Sequence, residues 1–240
     1  MIDDAVDDMY DGCKDKMAET VNKMYFAKEN TGIFAEAWKD ATDCTNDNLK
    51  NKAEEDKALT EDHMQAICVY TDHKYKFYDL FNNHVLRNRS IYGTNFPFHY
   101  LHFWLTSAIQ ILNTNTKSHT SYRRTKHEFT GEVGQIMRFG LFASSSYNKT
   151  LTSFGSRTCF AIKTYYGEVL IPPYEKFKIT KKETGPFTTG LVGCEVVYTV
   201  ESLGVVSNLN CKNGSLSPLN QSSAKNPSLL PSVKSTALHF

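Results

Sequence analysis

The strongest constraint on the fold is a change of pattern halfway along the chain. Up to about residue 115, apolar residues recur at helical spacing. Leu101, Trp104, Leu105, Ala108, Ile109 and Leu112 fall at the i, i+3, i+4, i+7, i+8 positions that share one helix face. Phe77, Leu80, Phe81 and Val85 mark a second such face, and Phe34, Ala37, Trp38 and Ala41 a third, shorter one. Beyond that point the pattern shifts to short runs of β-branched and aromatic residues parted by Gly, Ser, Thr and Pro. Candidate strands cover 122–125, 136–142, 159–165, 169–171 and 195–200. Helices followed by strands predict an α+β fold, not an alternating α/β one. The polar stretch 43–61 reads as an exposed connection and part of a solvated helix. After Cys211 the chain turns Ser-, Asn- and Pro-rich without period, which predicts a disordered tail.

Composition narrows the function classes. With 27 basic and 26 acidic residues the formal charge is +1, so the surface as a whole is not built to attract nucleic acid. A chain of 240 residues can bury a core without a disulfide framework. Its six cysteines form no CxxC pair, which argues against structural zinc, and the count leaves disulfides open. Four Asn-x-Ser/Thr sequons, at Asn88, Asn148, Asn213 and Asn220, favour an extracellular protein. Against this, no apolar leader, membrane span or GPI-type tail is legible. The expectation is therefore a cytosolic protein, or one whose export segment lies outside this sequence.

Three segments could carry chemistry. In Tyr122-Arg123-Arg124-Thr125 a strand arginine could clamp a phosphate, although an Arg pair on an edge strand needs no function. Arg138-Phe139-Gly140-Leu141-Phe142-Ala143-Ser144-Ser145-Ser146 runs from a candidate strand into three hydroxyls that could bond a ribose, or simply form a Ser-rich turn. Glu168-Val169-Leu170-Ile171-Pro172-Pro173-Tyr174-Glu175 opens on a carboxylate that could stabilise positive charge developing on a sugar, or merely start a strand. HExxH, GxSxG, P-loop and GxGxxG patterns are absent, so a dinucleotide site here would not be of Rossmann type. His99 and His102 read as core or surface residues rather than ligands.

Taken together and in this order, the three segments resemble the vertebrate ecto-ADP-ribosyltransferases, the NAD–arginine ADP-ribosyltransferase family. Flanking stretches extend the resemblance over about residues 3–211: the acidic segment ending in Cys13, Phe34-Ala35-Glu36-Ala37-Trp38, the run from Ile91 to Thr106, and Ser207-Asn208-Leu209-Asn210-Cys211. The resemblance implies a single domain over 1–211, with a helical N-terminal part packed on a two-sheet β core and an NAD cleft between the sheets. It implies transfer of ADP-ribose from NAD, or NADP, to protein arginine, without a metal. Arg123 would anchor NAD, Ser144 would support the nicotinamide-ribose end, and Glu168 would bond that ribose and stabilise the oxocarbenium-like transition state. An extracellular or cell-surface monomer acting on arginine-bearing proteins, and a Cys13–Cys211 disulfide, are implied as well.

The chain also departs from that pattern. Family members carry a longer turn before the Val-Leu-Ile-Pro strand, with a first Glu two residues ahead of the catalytic one. Here Tyr166 stands at that position. The alternative reading is therefore a catalytically impaired relative, an NAD glycohydrolase remnant or a non-catalytic binding protein. A second family disulfide has no cysteine near Ser118 or Tyr165, and the pairing of Cys44, Cys68, Cys159 and Cys194 is left open.

Overall fold

The computed structural model describes residues 2–113, 118–167, 169–185 and 189–212, apart from the side chain of Glu55. Glu168, the segment after Lys212 and two of the four sequons, Asn213 and Asn220, lie outside the described residues. The expected α+β order is present. Helices α1 (Lys14–Thr20), α2 (Phe26–Glu29), α3 (Gly32–Asp40), α4 (Thr42–Lys50), α5 (Glu61–Thr71), α6 (Phe77–Arg87) and α7 (His99–Leu112) precede strands β1 (His119–Thr125), β2 (Ile136–Met137), β3 (Ala143–Ser144), β4 (Thr158–Thr164), β5 (Leu170–Ile171), β6 (Glu175–Glu183) and β7 (Val196–Val205). A π-helical turn, Val21–Tyr25, joins α1 to α2.

The helical half closes around α7. Every residue from His99 to Ile109 is buried, so this helix is wrapped on all sides rather than along one stripe. Phe34 of α3 and Phe77 and Phe81 of α6 pack into the same cluster. Leu80, placed by spacing on the buried face of α6, is 37% exposed. Helix α5 was not legible as an amphipathic stripe because it too is buried nearly all round. Its start is fixed by Thr60, whose N–H donates to Nδ1 of His63 at 3.0 Å. The stretch read as an exposed connection and part of a solvated helix contains most of α4, and a Cys44–Cys68 disulfide ties that helix to α5.

Strands β1, β4, β7, β6 and β2 form one sheet in that order, with β4 and β7 parallel and the other neighbours antiparallel. Strands β3 and β5 form a second, two-stranded sheet. Alternation along β4 divides the β core: Phe160 and Ile162 pack with Ala143, Ile171 and Phe177, while Cys159 and Ala161 face Leu191, Cys194 and Val197. The Cys159–Cys194 disulfide lies on that second face. Two strand readings need correction. The run 136–142 is a strand only at Ile136–Met137. Gly140 at φ +69° turns the chain there, and its Cα faces Ile2 closely enough that a Cβ would lie 3.0 Å away. Strand β6 was missed because its only inward apolar residues, Phe177 and Ile179, stand among lysines.

The N-terminal segment and the segment 207–211 meet beside α7. Cys13 and Cys211 are bonded, as the resemblance implied. Beside them a buried polar chain runs through Asp8, Tyr92, Tyr10 and His102. Tyr92 Oη lies 2.8 Å from Asp8 Oδ2 and 3.1 Å from Tyr10 Oη, and Tyr10 Oη lies 2.6 Å from His102 Nδ1. Burial pushes His102 down to about 3, so its ring is neutral at pH 7. With Nε2–H donating to the Val6 carbonyl at 3.2 Å, Nδ1 accepts from Tyr10. Burial raises the Asp8 carboxyl to about 6, against the pull of the Cys211 and Tyr10 amides that donate to it. A protonated Asp8 would donate to Tyr92, free Tyr92 to donate to Tyr10, and complete the chain. Because the folded value lies above the ordinary 3.8, the native state holds a proton that the unfolded state releases between pH 3.8 and 6. This group therefore costs stability as pH rises through that window, on the order of 2–3 kcal/mol at pH 7. Asp8→Asn keeps the oxygen acceptor and supplies an N–H to Tyr92. Its thermal midpoint is expected to vary less between pH 4 and 7 than that of the parent, measured by calorimetry across that range.

Candidate active site

The site is assembled where edge strand β1 meets the small sheet. Backbone pairing between Tyr122 and Ser146, with both N–H···O distances 2.8 Å, joins the two. The adjoining Ser145 donates its amide to the Val169 carbonyl at 2.7 Å, which carries the connection on to the segment entering β5. Its hydroxyl bonds Ser121 at 2.9 Å. Three consecutive serines thus have distinct places: Ser144 is exposed in β3, Ser145 is spent on structure, and Ser146 pairs with β1.

Alternation along β1 gives its two arginines opposite fates. Arg124 is buried and fully committed, with Nε donating to the Lys149 carbonyl at 2.8 Å, Nη2 to the Val192 carbonyl at 3.0 Å and Nη1 to Cys194 Sγ at 3.3 Å. Among the described residues Arg123 has a single bond, from Nη1 to the Ser144 carbonyl at 2.6 Å. Its buried Nε finds no acceptor, and no carboxylate among the described residues pairs with it. Burial draws this guanidinium below the ordinary arginine value, with the nearby Tyr70 opposing the shift, and it stays charged at neutral pH. The structure therefore brings Arg123 and Ser144 together. It describes the flanks of Glu168, which itself lies outside the described residues.

The flanks are tightly made. Gly167 is buried, and a Cβ there would lie 2.5 Å from the Leu170 carbonyl, so no other residue fits without a shift of backbone. Its amide donates to Thr164 Oγ1 at 3.0 Å. Glu175, the last residue of the third motif, is buried beneath this turn and accepts from Thr164 Oγ1 at 2.7 Å and from the Tyr165 amide at 3.0 Å. Burial raises the Glu175 carboxyl, while the donors, Ser202 foremost, lower it. Tyr166, in place of the expected first Glu, is 38% exposed.

Sequence reasoning missed the residues that fix Phe142, two positions before Ser144. Tyr70 of α5 donates to the Phe142 carbonyl at 2.5 Å. Asn82 of α6 clamps Phe142 from both sides, accepting from its amide at 3.0 Å and donating to its carbonyl at 3.2 Å. These contacts span 60 to 72 positions, so no local pattern could reveal them. Arg138, which opens the serine motif, is structural: its Nη1 meets Asp7 Oδ2 at 2.6 Å, and both residues are buried. A groove of about 500 Å³ opens elsewhere, between the N-terminal segment, the end of α7 and Tyr165–Tyr166, and Arg123 and Ser144 do not line it. No cluster of metal-ligating side chains occurs among the described residues.

Comparison with known proteins decides the family. The family model described as NAD:arginine ADP-ribosyltransferase matches residues 1–189, a span that includes Arg123, Ser144 and Glu168. The chain belongs to the NAD:arginine ADP-ribosyltransferase family. Within it, the chain is 32% identical to the erythroblast NAD(P)(+)–arginine ADP-ribosyltransferase of Gallus gallus over 229 residues, 86% of this chain and 72% of that one. Ecto-ADP-ribosyltransferase 4 of Mus musculus is 32% identical over 232 residues, covering 87% of this chain and 74% of its own. Among solved structures, the eucaryotic mono-ADP-ribosyltransferase ART2.2 aligns at a TM-score of 0.70 and 29% identity, over 88% of this chain and 96% of that one. Mutants of ART2.2 that align equally well were crystallised in complex with NADH and with NAD. As in the family expectation, helices precede a five-stranded and a two-stranded sheet. No helix among the described residues is long and apolar enough to cross a membrane.

Proposed function

We propose that this chain transfers ADP-ribose from NAD to arginine side chains of proteins, with release of nicotinamide, and that Arg123, Ser144 and Glu168 carry the NAD side of the reaction. The observation behind this reading is the Arg123 guanidinium: partly desolvated, without a counter-charge among the described residues, and held beside the exposed Ser144. Family membership supplies the anion it would meet. Arg123 anchors the phosphates of the dinucleotide, and Ser144 supports the nicotinamide ribose. NADP is proposed as a second substrate, with one domain over residues 1–211 acting as a monomer.

The chemistry asks for positioning and charge stabilisation. The bond from the ribose C1′ to the nicotinamide nitrogen breaks, and nicotinamide leaves as a neutral ring with the electron pair. Positive charge then gathers on C1′ and its ring oxygen, and Glu168 stabilises it. A guanidinium nitrogen of the acceptor bonds to C1′ and gives up a proton. Tyr166 offers no carboxylate to orient that acceptor, so nicotinamide release is expected to outpace transfer to arginine. The arginine-bearing acceptor is proposed to meet the enzyme outside the cell or at its surface. Three disulfides among the described residues suit that oxidising setting.

Arg123→Met should weaken NAD binding by about 10- to 100-fold, the value of one charge-assisted contact of roughly 1.5–3 kcal/mol. Arg124→Met should instead lower stability, because all of its bonds are internal. Isothermal titration with NAD, paired with a thermal melt of each variant, separates the two. Unchanged NAD affinity in Arg123→Met would remove the basis of this reading.

A further inference from the structure

We propose that Asn148 is a glycosylation site on the folded enzyme, carrying an N-linked glycan at the rim of the candidate site, and that Asn88 is not one. Among the four sequons, only Asn88 and Asn148 lie within the described residues, and their surroundings differ. Asn148 is exposed. Its Oδ1 accepts from the Thr150 amide at 2.9 Å and from the Thr150 hydroxyl at 2.8 Å, so the sequon is folded on itself and Nδ2 is turned to no described partner. The next residue is pinned: the Lys149 carbonyl accepts from Arg124 Nε at 2.8 Å, and its ammonium sits 4.8 Å from the centre of the Tyr122 ring. Lys149 is thus anchored on β1 while Asn148 is left at the surface. Asn88 is half-buried at the end of α6, and its Nδ2 is spent on His84 Nδ1 at 2.6 Å. A glycan there would have to share this half-buried nitrogen with His84.

The reaction needs a lipid-linked oligosaccharide pyrophosphate, the sugar donor of the secretory route. Asn148 Nδ2 bonds to the anomeric carbon of the first sugar, the bond from that carbon to the pyrophosphate oxygen breaks, and Nδ2 loses one proton while the lipid pyrophosphate leaves. The disulfides Cys13–Cys211, Cys44–Cys68 and Cys159–Cys194 place folding in an oxidising compartment where such donors occur. Asn148 lies two residues beyond Ser146, which pairs with Tyr122. The sugar chain would therefore be attached close in sequence to the Arg123–Ser144 contact. This proposal does not depend on transfer activity, and an inactive protein would leave it intact.

The test is to secrete the full chain from eukaryotic cells behind a cleavable signal, remove N-glycans enzymatically in heavy-oxygen water, and map peptides. Each formerly glycosylated Asn becomes a labelled Asp. We expect label at position 148 in most secreted molecules and none at 88. Thr150→Ser should keep the label and Thr150→Ala should lose it. Secreted protein without label at 148, or with label at 88, would overturn the proposal. Asn213 and Asn220 are read separately by their own peptides.

Discussion

Glu168→Ala is expected to lower nicotinamide release from NAD by roughly 10²–10³, the usual effect of losing one preorganised electrostatic contact in the transition state. The nicotinamide bond is already activated by its cationic ring, so little covalent chemistry is asked of the protein. Its task is to hold the ribose and offset charge that exists only as the ring departs. A contact of that kind acts on kcat more than on KM. The substitution should leave the fold alone. Gly167 and Val169, on either side, are fixed by bonds that do not involve the Glu168 side chain: Gly167 N–H to Thr164 Oγ1, and Ser145 N–H to the Val169 carbonyl. Steady-state assay of nicotinamide, with a thermal melt as control, checks both halves. Turnover equal to that of the parent would remove Glu168 from the reaction.

The second large effect concerns stability. Arg138→Met should cost about 3–5 kcal/mol, because it strands the buried Asp7 carboxylate without its counter-charge. Asp7 also accepts from the Asn208 amide at 2.9 Å, the Leu209 amide at 3.1 Å and Asn208 Nδ2 at 2.9 Å. Arg138 itself donates Nε to the Ile2 carbonyl at 2.8 Å. One ion pair thus locks the N-terminal segment, the start of the serine motif and the segment before Cys211 together. Adding Asp7→Leu to Arg138→Met should destabilise by less than the sum of the single changes, since the double variant leaves no lone buried charge. Denaturant melts of the four proteins give the cycle. Simple additivity would mean that the pair is not coupled.

What was legible in the sequence followed from local pattern. Leu101 to Leu112 announced α7 because a helix must repeat every 3.6 residues, and the β-branched runs announced β4 and β7. The family motifs placed Arg123 and Ser144, which proved to touch. The rest escaped for physical reasons. Helix α5 carries no stripe because both of its sides are covered. Tyr70 and Asn82 act across the fold on Phe142, and only tertiary structure brings them there. Asp7 and Asp8 belong to the acidic segment that ends in Cys13, and nothing in its composition tells that both are fully buried, one paired with Arg138 and the other in a tyrosine–histidine chain. Adjacent Arg123 and Arg124 looked alike in sequence; the pleat of β1 turned one toward Ser144 and the other into the Lys149, Val192 and Cys194 contacts. The cysteine pairs 44–68 and 159–194 likewise depend on packing, which spacing does not encode.

The central claim is that this chain breaks the nicotinamide bond of NAD and passes ADP-ribose to a guanidinium. The most direct test follows nicotinamide release by the purified protein with and without agmatine, together with mass detection of the ADP-ribosyl adduct. Release that rises with agmatine and yields the adduct, more slowly than NAD is consumed, is the expected result. No nicotinamide release under either condition, from protein shown to be folded and disulfide-bonded, would contradict it.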